Sequence, residues 1–99
     1  MPFHPMMLVT VVTERLFSDR VVRDLRELGA RGFTVSDVAG GDAPGTHAAT
    51  FEGNVKIETV VSEEASEAML RHLAEHYFAH HALIAYRHPV EVLRREKYD

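Results

Sequence analysis

A chain of 99 residues, 45% hydrophobic and 26% charged, has room for one soluble domain with a modest core, and a core that small gains from oligomerisation. The absence of cysteine excludes disulfides and thiolate metal sites, and a net charge of −4 with neutral histidines argues against a nucleic-acid partner. The longest apolar run, residues 6–12, is too short to span a bilayer. The MPFHP start lacks a basic n-region followed by an apolar h-region, so a cytoplasmic protein is expected.

Residues 1–6 read as a short disordered lead. Residues 7–13 (MLVTVVT) are β-branched and almost continuously apolar, which suits a strand in the middle of a sheet. Ser18 or Asp19 then offers an N-cap to a helix over 19–28, with Val21, Val22, Leu25 and Leu28 on one face and Arg20, Arg23, Asp24 and Glu27 on the other. Gly29 stands where a helix ends in the left-handed conformation. Alternation predicts a strand over 33–39 and a second over 55–61, joined by a glycine-rich loop over 40–54. A loop of that length inside a small domain is uncommon and often functional. Ser62 caps a second helix over 63–80, and Glu63 and Glu64 bring negative charge to its first turn. Residues 82–87 form a fourth strand that Pro89 is expected to break, and 90–97 is a short tail element, either strand or helical turn. The order β-α-β-β-α-β gives an α+β, ferredoxin-like domain: a four-stranded antiparallel sheet with two helices on one face.

The fold names no activity, so side chains must. His72, His76 and His80 recur at i, i+4, i+8 with His81 following, a spacing at which a pair can ligate a transition metal. No HExxH pattern accompanies them, and a solvated or subunit-facing helix flank accounts for the stripe equally well. No serine sits in a GxSxG elbow and no carboxylate–histidine pairing is readable from spacing, so an enzyme is not expected. Gly40 and Gly41, directly after a strand, let backbone N–H groups approach a ligand, although a simple turn would use them too. Arg87, Arg94 and Arg95 gather near the tail as forked phosphate donors, the plain alternative being a solvated charged tail.

These residues carry a resemblance. GFTVSDVAG over 32–40, a variable loop, and NVKIETVV over 54–61 resemble the PII signalling proteins, across nearly the whole chain. The second half, EHYFAHHALIAYRHPVEVLRR over 75–95, lacks the glycine–lysine phosphate loop of nitrogen-regulatory members. It looks more like the PII-like branch tied to inorganic carbon, which includes the bicarbonate-transporter regulator SbtB and the carboxysome-associated PII proteins.

The resemblance implies a homotrimer with sheets packed toward the three-fold axis and an adenine nucleotide in each cleft between subunits. The ligand would be AMP or ADP, with ATP and cAMP as alternatives and bicarbonate as a companion anion. By position, Thr34 and Val60 would contact adenine, Gly40 and Gly41 would lie along ribose and phosphates, His81, Ala82 and Leu83 would form a shortened second loop, and Arg94 and Arg95 would approach phosphate. Glu58 stands where the family carries an acidic partner to a lysine absent here. The loop, the family's T-loop, has no arginine and carries Asp42, which favours AMP or ADP over ATP unless Arg87 substitutes. The implied mechanism is conformational: ligand at Gly40 and Gly41 orders the loop, and a protein partner, a bicarbonate transporter or carboxysome component, reads the result. Neither a thiol switch nor uridylylation is expected, since the cysteine-bearing extension and the loop-tip tyrosine are missing. Two rivals remain: a trimeric metal-tolerance protein of the CutA kind, resting on the histidine stripe, and an interaction domain without a small ligand.

Overall fold

The computed structural model describes residues 2–40 and 53–98. Four strands, β1 (His4–Glu14), β2 (Thr34–Val38), β3 (Asn54–Val61) and β4 (Ile84–Val92), form one sheet in the order β2-β3-β1-β4, with α1 (Ser18–Glu27) and α2 (Glu63–His76) in the two crossovers. Every neighbouring pair is antiparallel. This is the ferredoxin-like architecture expected.

One face of the sheet is the core. Val9 and Val11 of β1 and Val55, Ile57 and Val61 of β3 meet Val21 and Leu25 of α1 and Met69, Leu73 and Tyr77 of the α2 end. The alternate residues face away from the helices. Register sets Val12, Thr10 and Leu8 beside Lys56, Glu58 and Val60 on one flank and Ile84, Tyr86 and His88 on the other. On this open face Ile84 and Tyr86 remain about half exposed, at 49% and 47%.

Several local expectations are corrected. The lead is not disordered as far as Met6: β1 begins at His4, which pairs with Val92. Pro89 does not end β4 but lies inside it, opposite Met7. The reason is position, since β4 is an edge strand bonded to β1 alone and one side of its backbone needs no donor. The tail over 90–97 therefore divides, its first residues completing β4 and Arg95–Lys97 making a 3-10 turn. The loop's upper limit shifts as well, because Asn54 is the first residue of β3, paired with Glu14 and Val38.

Neither Ser18 nor Asp19 caps α1. The chain enters that helix from a 3-10 turn, Arg15–Phe17, so Phe17 takes the capping position without a side-chain bond. Ser62 does cap α2, its Oγ accepting from Ala65 N at 3.1 Å. Gly29 closes α1 at φ 121°, a conformation that a β-carbon disfavours.

Helix α2 stops at His76 rather than His80. Tyr77 N and Phe78 N both donate to the Leu73 carbonyl, at 2.9 and 3.3 Å, which ends the i to i−4 ladder. Tyr77 is fully buried, and its hydroxyl donates to Asp24 Oδ2 of α1 at 2.5 Å. His72 Nε2 reaches the same oxygen at 3.1 Å. His80 thus leaves the helical stripe, while His72 and His76 stack with ring centroids 4.3 Å apart.

Candidate ligand-binding site

The strand ends and both termini make an open cleft of about 830 Å³. One wall is the start of β2, with Gly32, Phe33 and Thr34; the floor is Glu58, Thr59 and Val60 of β3 and Leu8 of β1; the far wall is Phe3 with the tail, including Arg94, Lys97 and Tyr98. The cleft exists because register puts Thr34 beside Glu58 and Leu8 beside Val60, while β4 carries the tail back across the same end of the sheet. Thr59 contributes its backbone to the floor, while its side-chain Oγ1 donates to the Gly32 carbonyl at 2.6 Å and joins the floor to that wall.

The lining suits a flat apolar ring with a charged appendage. Phe3, Phe33 and Tyr98 supply aromatic surface, and Arg94 and Lys97 supply positive charge. Arg26 lies over the Phe33 ring at 4.9 Å. Glu58 is partly neutralised by Lys56, Nζ to Oε1 3.8 Å. A β-carbon at Gly32 would meet no described atom within 4 Å, so the wall there is open to an incoming group.

Of the sequence-predicted residues, the cleft gathers Thr34, Glu58, Val60 and Arg94. Arg95 lies in the adjoining 3-10 turn and is not among the lining residues. Gly40 and His81, Ala82 and Leu83 sit at the opposite end of the sheet, past the end of β2 and just before β4. There His81 packs edge-on against Phe17 at 4.3 Å, and Leu83 is buried in the core. Gly41 lies outside the described residues. Arg87 belongs to neither group: it faces the helices, donating to Ser66 Oγ at 2.8 Å and to the Glu63 carbonyl at 3.4 Å. The cleft is also lined by Phe3, Phe33, Lys97 and Tyr98, which sequence reasoning did not single out. Phe33 was within reach, being next to Thr34 in the motif, but Phe3 and Tyr98 enter only through the pairing of β1 with β4.

Among the described residues, no cluster of three or more histidine, aspartate or glutamate side chains is placed to hold a metal ion. No helix among them is long and apolar enough to cross a membrane.

Residues 6–97 match the family profile of the nitrogen regulatory protein P-II. The chain belongs to the P-II family. A PII-like signaling protein from Thermus thermophilus is similar to it at 41% identity over 100% of both chains, with a TM-score of 0.85. CPII from Thiomonas intermedia, in its structure with ADP and bicarbonate, shares the fold at 19% identity over 99% of this chain and 98% of that one, TM-score 0.85. The apo form of CPII aligns at 18% identity over 92% and 95%, TM-score 0.74. A search of curated proteins returned no match. As a P-II family member the protein is placed among signalling proteins and carries the family's four-stranded, two-helix fold.

Proposed function

We propose that this P-II family protein is a trimeric sensor that binds an adenine nucleotide in the seams between subunits and reports it to a protein partner. AMP or ADP is the favoured ligand, with bicarbonate as a companion, and the message concerns inorganic carbon or energy status. On this reading the partner is a bicarbonate transporter or carboxysome component, which would bring the protein to the carboxysome.

The observation that carries the reading is the division of the candidate residues. Thr34, Glu58, Val60 and Arg94 meet in one cleft, whereas Gly40 and the His81–Ala82–Leu83 turn lie at the other end of the sheet. Six residues of extended chain separate Thr34 from Gly40, about 20 Å at the rise of a strand. One copy cannot close both sets around one base and its phosphates. Two copies packed through the open sheet face can, one offering the cleft and the next the loop root. The half-exposed Ile84 and Tyr86 on that face supply apolar surface for such packing. Gly40 supports the same reading, since a β-carbon there would touch no described atom of its own chain within 4 Å. The ADP and bicarbonate of CPII agree with the ligand class, although at 19% identity CPII carries only the fold.

Phosphate number should matter. The loop brings Asp42 and no arginine, and Arg87 is engaged at Ser66. Calorimetric titration is expected to give tighter binding of AMP or ADP than of ATP, and bicarbonate and nucleotide should each change the affinity for the other by the same factor. A clear ATP preference would contradict the selectivity; heat-silent titrations with all three nucleotides, together with no thermal shift, would contradict the function.

A further inference from the structure

Arg15 touches both stems of the long loop. Its backbone N donates to the Gly53 carbonyl at 2.7 Å, on the stem entering β3. Its guanidinium donates to Asp37 Oδ1 at 2.5 Å, on β2 three residues before Gly40. Both side chains are exposed, 56% for Arg15 and 79% for Asp37, so water and ions reach the pair. An ion pair this exposed contributes little. A phosphate offers the same guanidinium more negative charge and more acceptor oxygens.

We infer that Arg15 is the phosphate-gripping cation at the loop root and that Asp37 is its resident competitor. The inference rests on the nucleotide reading above and adds what that reading lacks, a positive charge where the phosphates run along Gly40. The other cations nearby are otherwise placed: Arg87 is bound under α2, and Lys56 is directed to Glu58 on the open face. Asp37 occupies the guanidinium when no nucleotide is present. A phosphate displaces the carboxylate, and the displacement releases β2 from the turn that leads into α1. Nucleotide binding is thereby coupled to the loop's N-terminal stem by an exchange of partners on one side chain.

The test is calorimetric titration of the whole protein with AMP and ADP, using wild type, Arg15→Ala and Asp37→Asn, each checked for folding by thermal melting. Arg15→Ala is expected to weaken ADP about tenfold and AMP less, because charged hydrogen bonds to phosphate are lost. Asp37→Asn is expected to tighten ADP about threefold by removing the competitor. If Arg15→Ala does not fold, Asp37→Asn decides alone: tighter ADP supports the exchange, and unchanged or weaker ADP overturns it. ADP affinities unmoved in both variants, with wild type binding normally, overturn the role of Arg15 and leave the nucleotide reading standing. A wild type that binds neither nucleotide overturns both.

Discussion

Replacing Val60 with arginine is expected to abolish adenine-nucleotide binding, with at least about a hundredfold loss of affinity, or roughly 3 kcal/mol. Val60 is half-buried on the open face, pairs with Leu8, and forms the cleft floor beside Thr34 and Glu58. An arginine there projects into the space an apolar ring would take. It also sets a strongly hydrated charge into the surface through which copies are proposed to meet. The side chain points away from the helices, so the core over Val9, Ile57 and Val61 is untouched and the isolated domain should lose little stability. Calorimetry with ADP and circular dichroism on the same sample check both halves. A folded variant that binds ADP within about threefold of wild type, a difference of well under 1 kcal/mol, would remove Val60 from the site.

Truncating Tyr77 to alanine is expected to cost about 3–5 kcal/mol of folding stability, as large aromatic deletions in cores do. For so small a domain that is much of the total. Tyr77 is buried between the helices, its ring lies 5.0 Å from the Arg20 guanidinium, and its hydroxyl holds Asp24. Tyr77→Phe isolates the polar part and should cost about 1–3 kcal/mol, since Asp24 keeps only the His72 contact and the flanking Arg23.

The pH dependence separates the two ends of this hydrogen bond. Burial raises the Asp24 pKa, but the hydrogen bonds from Tyr77 and His72, with the charges of His72 and Arg23, outweigh it and hold the carboxyl below its usual 3.8. Its contribution is therefore present above pH 3.8 and is lost as pH falls through the lower folded value. The Tyr77 phenol, pushed up by burial and by the bond to and charge of Asp24 to about 12, contributes fully below pH 10 and loses that contribution as pH rises toward 12. Denaturant melts across pH should show wild type losing stability at both extremes. Tyr77→Phe should be flatter at both, and equal slopes for the two proteins would show that the hydrogen bond carries none of the pH dependence.

The parts of the fold legible in advance are those where one face differs sharply from the other. The β3 alternation, with Val55, Ile57 and Val61 buried against Lys56, Glu58 and Val60, carries its own register, and the α1 stripe of Val21 and Leu25 does likewise. Misreadings arose where tertiary context overrides a local rule. Pro89 breaks a strand only if both sides of that strand are bonded, and the edge position of β4 follows from the whole sheet. Nothing local stops α2 at His76; the interruption comes where Tyr77 turns inward to Asp24, 53 residues earlier in the chain. In the cleft, the residues singled out through family resemblance were Thr34, Glu58, Val60 and Arg94. The aromatic walls at Phe3 and Tyr98 were not, because the termini carry no periodicity and meet only through the β1–β4 ladder. The Arg15–Asp37 contact was hidden for a similar reason: the two residues are 22 apart in the chain and meet only after folding.

The most direct test is a crystal structure of the protein grown with ADP. The account predicts three copies around a three-fold axis, each seam holding one ADP with its base against Thr34 and Val60 of one subunit and its phosphates along Gly40 of the next. ADP lying wholly within the cleft of a single copy, or a trimer whose seams are empty at saturating ADP, would contradict it.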